Sequence, residues 1–325
     1  MLARVSQRVV VVGAGVIGLS CAVRLAEAGF DTHVLARELP LETTSAVAGA
    51  LWFPYRAEPA AAVERWGRAT LTELLALHRD PETGVLLRDG VLLHAEPPQR
   101  PAWADALRDL VRLDPVVDPA PGYRHGLGAR LPLVDMAVYL PWLRQRLERA
   151  GGTVTRMPLP ALPERGLVVD ATGVSARAMA GDPSVRPVRG QVLLVSNPGI
   201  TRWLVDEAEA PDGSLTYVLP RTDTVVVGGC AVEDDWDPVP RPELAEQVLA
   251  RATAVEPKLA GAQVLAHRVG LRPARPAVRL EAVRGAEGTT VHCYGHGGAG
   301  VTLSWGCADE VLALVREAAG SEPAR

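Results

Sequence analysis

Residues Arg8 to Glu38 read RVVVVGAGVIGLSCAVRLAEAGFDTHVLARE, one complete βαβ unit. Four consecutive valines, Val9 to Val12, are apolar on both faces, as a buried parallel strand requires. Gly13, Gly15 and Gly18 follow as GxGxxG, ahead of a helix-period stripe of Ile17, Cys21, Leu25 and Ala28 and a stop at Gly29. The first glycine permits a tight turn, the second lets the backbone approach a pyrophosphate, and the third lets the helix pack close against the strand. Together with Ala14, Val16 and Ile17 they bring the helix N-terminus, with its unpaired N–H groups and partial positive charge, to face an anion. A second strand, Thr32 to Ala36, ends at Arg37 and Glu38. Glu38 lies about 20 residues past the last glycine, where an acidic side chain accepts from ribose hydroxyls. The pattern predicts a dinucleotide site rather than a glycine-rich structural turn. It leaves NAD, NADP and FAD open: Arg37 suits a 2′-phosphate, and Glu38 beside it argues against one.

At 325 residues the chain exceeds one ordinary α/β domain and suits two that share a core. With 48% hydrophobic and 22% charged residues the composition is globular, and a net charge of -4 offers no basic field for nucleic acid. The longest uncharged apolar run, Val9 to Val23, falls short of a membrane span and is the nucleotide motif itself. Arg4 and Arg8 imitate a signal-peptide start, but an embedded GxGxxG and a helix continuing to Ala28 are wrong for a cleaved segment. Cys21, Cys230, Cys293 and Cys307 have no CxxC spacing and apolar surroundings, which predicts buried thiols in a reducing cytoplasm. The scattered histidines show no metal-ligand spacing, so no metal is expected.

After Glu38 a hydroxyl cluster, Thr43, Thr44 and Ser45, precedes the small residues Ala48, Gly49 and Ala50 and then Leu51-Trp52-Phe53-Pro54-Tyr55. These either cradle phosphate and a flat ring or cap a helix start. Ala60 to His78 is helical by period, Val85 to His94 reads as a strand pair around Arg88-Asp89-Gly90, and Pro97 to Gly128 reads as an insertion with one short helix, Trp103 to Leu113. A helix at Met136 to Gly151 and strands at Thr153 to Arg156 and Leu167 to Asp170 return to the α/β pattern, the last ending in the small turn Ala171-Thr172-Gly173. From Pro187 consecutive strands predict an antiparallel sheet: Val188 to Val195, Thr201 to Asp206, Leu215 to Leu219 and Thr224 to Ala231. A helix at Pro242 to Val255, strands at Gln263 to Leu271, Val278 to Val283 and Thr289 to Tyr294, and a closing helix at Leu303 to Ala318 complete the chain. Gly295-His296-Gly297-Gly298-Ala299-Gly300 feeds that helix, offering a second N-terminus to an anion. Asp234, Asp235 and Asp237 read as a solvated turn.

VVVVGAGVIGLSCA, ARELP with TTSAVAGALWFPY, VVDATGV, RGQ at 189 to 191, TYVLPR around Tyr217, VGLRPARPAVRLE around Arg272 and YGHGGAGVTLSWGCA run along the chain. In these motifs it resembles the D-amino-acid oxidase family of flavoproteins across essentially its whole length. The resemblance implies an α/β fold: an interrupted, Rossmann-like FAD-binding domain (1–55, 136–185 and 268–325) and an antiparallel-sheet substrate domain (56–135 and 186–267). It implies non-covalent FAD and oxidative deamination of D-amino acids with molecular oxygen, by hydride transfer from Cα to flavin N5. A homodimer is compatible with it. Arg37, Glu38, Thr43, Thr44, Ser45, Gly49, Ala50, Leu51 and Thr172 match FAD contacts; Gly297, Gly298, Gly300, Val301 and Thr302 match the segment beneath the flavin. Arg272 and Tyr217 match the pair that grips the substrate carboxylate, with Phe53 and Gly298 beside it and Arg272 also near the cofactor. A carboxylate calls for a bidentate guanidinium in a dry pocket, although spacing alone favours reading Arg272, Arg275 and Arg279 as surface arginines. The Thr302 hydroxyl and the closing helix dipole are expected to stabilise negative charge on the reduced flavin. No residue is assigned as acid or base, and His296 is expected to act as a hydrogen-bonding support.

Two departures bear on side-chain preference: Gly213 stands where vertebrate members carry a lid tyrosine, and Phe53 replaces a polar residue. An open, apolar pocket favours neutral hydrophobic side chains, and Asp206, if it points inward, would add basic ones and repel acidic ones. D-aspartate oxidase or glycine oxidase activity is the alternative within enzymes, and a non-catalytic nucleotide-binding protein the alternative outside them. The ending EPAR lacks the peroxisomal signal of eukaryotic members.

Overall fold

A computed structural model describes residues 7–54, 57–94, 96–97, 114–115, 120, 122–206 and 215–320. The expected helix Trp103 to Leu113, Gly213 and the EPAR tail lie outside the described residues. The first sheet grows from the valine run. β1 (Arg8–Val12) pairs in parallel with β2 (Asp31–Ala36), the two being joined by α1 (Val16–Glu27). Gly29 takes the left-handed conformation that ends the helix. α1 is buried nearly all round, not along one stripe. Two further helices close over it, which explains its low polarity.

A short α2 (Thr44–Val47) and a long α3 (Ala60–Leu77) follow, then β3 (Val85–His94). β3 is one continuous strand, not a pair. Gly90 makes no turn; a Cβ there would sit 2.0 Å from the Trp203 ring, so the glycine makes room for an indole. The partner of β3 is β5 (His125–Val134), a strand that the Pro97 to Gly128 insertion concealed; β4 (Asp114–Pro115) edges it. α4 (Met136–Arg149), capped by the Asp135 carboxylate accepting from Ala137 N–H, leads to β6 (Thr153–Arg156) and β7 (Gly166–Asp170). After α5 (Ala176–Met179) come β8 (Arg186–Ser196), β9 (Trp203–Asp206), β10 (Thr216–Pro220), β11 (Thr224–Gly228) and β12 (Val232–Glu233). The last elements are α6 (Pro242–Val255), β13 (Val264–Ala274), β14 (Arg279–Arg284), β15 (Gly288–Tyr294) and α7 (Gly300–Gly320).

Six strands order as β14-β15-β7-β1-β2-β6, parallel except for β14. Nine strands form the second sheet in the order β12-β8-β11-β10-β9-β3-β5-β4, with β13 also on β8. β13 pairs along β8 to Ala274, and α3 packs mainly on α7. The α3–α7 crossing is close because Gly306 meets the Trp66 backbone, where a Cβ would lie 2.3 Å from Cα. The main core lies between the sheets and under α1, α4 and α7. A second core lies between the nine-stranded sheet and α6. Among the described residues no helix is long and apolar enough to cross a membrane.

Candidate active site

A cleft of about 950 Å³ runs from the C-terminal ends of the parallel strands to the face of the second sheet. At one end lie Gly13, Ala14, Gly15, Val16 and Ile17. Gly13 has φ 114°, and its missing Cβ would sit 2.4 Å from the Ala171 carbonyl oxygen. Gly18 does not line the cleft; a Cβ there would lie 1.9 Å from the Gly13 carbonyl oxygen, so it sets how close α1 comes to the turn. Thr43, Thr44 and Ser45 all line the cleft. The Ser45 Oγ accepts from Val16 N–H at 3.0 Å and so joins the start of α1, while Thr43 occupies the α2 N-cap position without a side-chain cap bond. Thr44 donates to the Leu271 carbonyl, and Thr172 to Asp170 at 2.7 Å. Arg37 and Glu38 line the far end, paired at 2.7 Å. Met157, Pro158 and Leu159 close that end after β6. They were missed in the sequence, where the only signal is a position just past the end of a parallel strand.

At the other end Arg272 lies across Gly190, where a Cβ would sit 2.5 Å from its guanidinium carbon. One guanidinium N–H donates to the Cys230 carbonyl at 2.9 Å. That is the physical content of RGQ: Gly190 is the floor for Arg272, while Arg189 and Gln191 hold the 237–241 loop through its carbonyls. Tyr217 sits beside Arg272 in a socket of glycines. A Cβ would come within 2.2 Å of its ring at Gly228, 2.8 Å at Gly229 and 3.3 Å at Gly49. Burial pushes the Tyr217 phenol up, against the pull of Arg272, so it remains an O–H donor at neutral pH. Arg275 and Arg279 are not equivalents of Arg272. Arg275 pairs with Asp182 at 2.9 Å, and Tyr294 donates to the same carboxylate and accepts from Arg279. Burial would push Asp182 up, but Ser184, Arg275 and Tyr294 hold it well below the usual carboxylate range.

Gly49, Ala50, Leu51 and Phe53 form one wall, with Ala50 at φ 63°. Arg221, only 7% exposed, was not anticipated as a support for this wall. It donates to the Ala48 carbonyl and pairs with Asp135 at 3.1 Å. Gly297, Gly298, Gly300, Val301 and Thr302 form the opposite floor. α7 starts at Gly300, three residues earlier than its pattern suggests, so its first-turn N–H groups face the cleft. The Thr302 hydroxyl is already committed: it donates to the Phe53 carbonyl and accepts from Phe53 N–H, both at 3.1 Å. It fastens wall to floor, and the positive end of the α7 dipole is the group there that favours negative charge. His296 is buried, pushed down to about 4 by desolvation, and its ring turns to Cys293 and Cys307 rather than to an open partner. Asp206 does not enter the cleft. β9 alternates, so Val205 lines the cleft while Asp206 accepts from Tyr123 on the α6 side.

Residues 8–314 match the FAD dependent oxidoreductase family, DAO. The chain belongs to that family. It is 50% identical over 320 residues to a D-amino-acid oxidase of Rubrobacter xylanophilus, covering 97% of both chains. To a Streptomyces coelicolor D-amino-acid oxidase it is 48% identical over 310 residues, covering 94% of this chain and 96% of that one. A human D-aspartate oxidase is 34% identical over 95% of both chains. Among solved structures, Bacillus cereus glycine oxidase superposes with a TM-score of 0.78 at 18% identity, over 98% of this chain and 96% of that one, which shows a shared fold. The family's cofactor is FAD, and the cleft fits it. A Cβ has no room at Gly13 or Gly18, and Gly15, Glu38, Ala50 and Gly298 all line the same cleft.

Proposed function

We propose that this chain oxidises D-amino acids to imino acids, which hydrolyse to 2-oxo acids and ammonia, with non-covalent FAD and molecular oxygen yielding hydrogen peroxide. The observation that carries the reading is the Arg272–Tyr217 pair in the same cleft as the dinucleotide cradle. When bound, FAD accepts a hydride from the substrate Cα and passes the electron pair to oxygen. The protein's part is binding and orientation. Arg272 offers two N–H groups to the carboxylate and Tyr217 a third donor, both immobilised by glycine floors. With carboxylate and amine held, only the D-isomer turns its Cα–H toward the flavin. Cys230, Cys293 and His296, the lining groups able to tether a flavin, are buried and hydrogen-bonded within the protein, which supports a non-covalent cofactor.

The side-chain end is walled by Phe53, Val205, Leu215 and Leu219. Neutral apolar side chains are favoured there, each buried methylene contributing about 0.8 kcal/mol. The sequence-based case for basic substrates rested on Asp206, whose carboxylate faces Tyr123 on the opposite side of the sheet. The human D-aspartate oxidase relative suggests an acidic substrate as a second reading, but among the described residues the lining cations are Arg272 and the distant, Glu38-paired Arg37. A non-catalytic nucleotide-binding protein would have no use for the Arg272–Tyr217 pair. We place the protein in the cytoplasm, in keeping with four buried free thiols. A panel of D- and L-amino acids with peroxide readout tests the proposal. Apolar D-amino acids are expected to exceed D-aspartate at least tenfold in kcat/KM, with no L-isomer turnover; D-aspartate as the best substrate would overturn the side-chain reading.

A further inference from the structure

Beneath the glycine-rich floor, three side chains converge that the oxidation does not use. Cys293 comes from the end of β15, His296 from the loop after it, and Cys307 from the third turn of α7. All three are buried, and their ligand atoms lie within 4.8 Å of one another. His296 Nε2 is 3.5 Å from Cys307 Sγ and 4.0 Å from Cys293 Sγ. The Cys21 thiol, from α1, contacts that of Cys293 on the other side. Their order in the sequence gave no sign of this, because the four residues sit on separate elements.

We propose that Cys293, His296 and Cys307 form a binding site for one zinc-class ion under the cofactor cleft. Zinc–sulfur bonds of about 2.3 Å and zinc–nitrogen bonds of about 2.0 Å in a tetrahedron set S···N edges of about 3.5 Å and S···S edges of about 3.8 Å. The S···N separations already fit, or come within about half an ångström of, those edges, so side-chain adjustment suffices to close the set. Two thiols and an imidazole, with no carboxylate among the ligands, select zinc, cadmium or copper(I) over magnesium or calcium. On binding, each ligating thiol gives its proton to solvent and the ion takes the sulfur lone pair; nothing is oxidised or reduced. Without an ion the same groups are hydrogen-bonded to one another. Cys293 and His296 line the cleft, so the route in is through the cofactor space, and FAD would close over the ion.

The full-length chain, freed of flavin by dialysis, is titrated with cadmium, and the thiolate-to-metal charge-transfer absorbance in the ultraviolet is followed. Wild type should saturate at about one cadmium per chain at micromolar concentration. Cys230→Ser should do the same, since that thiol lies away from the cluster, at the Gln191 amide. Cys307→Ser and His296→Gln should bind at least tenfold more weakly. Should Cys307→Ser not fold, Cys293→Ser takes its place. No saturable band in wild type, or one that persists in the cysteine variants, overturns the proposal.

Discussion

The two ends of the cleft are built in different ways. The nucleotide end is local: its turn, helix N-terminus and terminal acid all come from Arg8 to Glu38, with Ser45 the near addition. Backbone groups do most of the binding there, so glycines at set spacing are enough to announce it. The substrate end is assembled from β8, β10, β11 and β13, and its chemistry depends on two side chains held by glycines on other strands. Gly190 matters only because β13 pairs antiparallel with β8 and puts Arg272 over it. The contrast is between a site specified by spacing and one specified by register.

That contrast can be broken by substitution. The largest expected effect is Arg272→Ala, which removes a charge-assisted partner and should raise KM for D-amino acids by about 2 to 5 kcal/mol with FAD still bound. Arg272→Lys should recover part of it, as a point charge does not reproduce the fork; steady-state kinetics with flavin absorbance as control decides. Gly18→Ala should do the reverse. The Gly13 backbone leaves its Cβ nowhere to go, at a cost of about 3 kcal/mol, and an equilibrium FAD titration should show weakened cofactor binding while KM of the reconstituted fraction is unchanged.

Asp182→Asn probes the Arg275–Asp182–Tyr294 cluster. Losing bonds to Arg275 and Tyr294 should cost about 2 kcal/mol at pH 7 in denaturant unfolding. Because the folded carboxyl is held below its unfolded value of 3.8, that stabilisation is present above about pH 4 and lost as the pH falls further, so the gap to wild type should narrow there. The smallest effect is Tyr217→Phe, which removes one donor and should raise KM about fivefold, or about 1 kcal/mol, leaving FAD affinity alone. Equal FAD loss in Tyr217→Phe and Gly18→Ala would show that the two ends are not separable.

Much of the molecule was readable from the chain. The valine run, the three glycines, the parallel strands and the largely antiparallel second sheet, in which only β3 and β9 pair in parallel, were legible because burial and backbone geometry leave periodic marks. Gly90 misled, since a glycine that makes room for Trp203 looks the same in sequence as one that turns the chain. β5 hid in a proline- and glycine-rich stretch whose pairing to β3 is its reason for being a strand. The motifs that resemble the oxidases located Arg272 and Tyr217, but not why Arg275 and Arg279 differ from Arg272; that follows from Asp182 and Tyr294.

By itself, then, the sequence determined the glycine turn, the two kinds of sheet and many of the residues that line the cleft, because these rest on local geometry and short-range period. Tertiary structure alone decided that Asp206 turns from the cleft, that the Thr302 hydroxyl is spent on Phe53, that Arg221 holds the Ala48 wall, and that Cys293, His296 and Cys307 meet. Each of these depends on which strand face or helix turn is presented to a distant partner, and a one-residue change of register would reverse it.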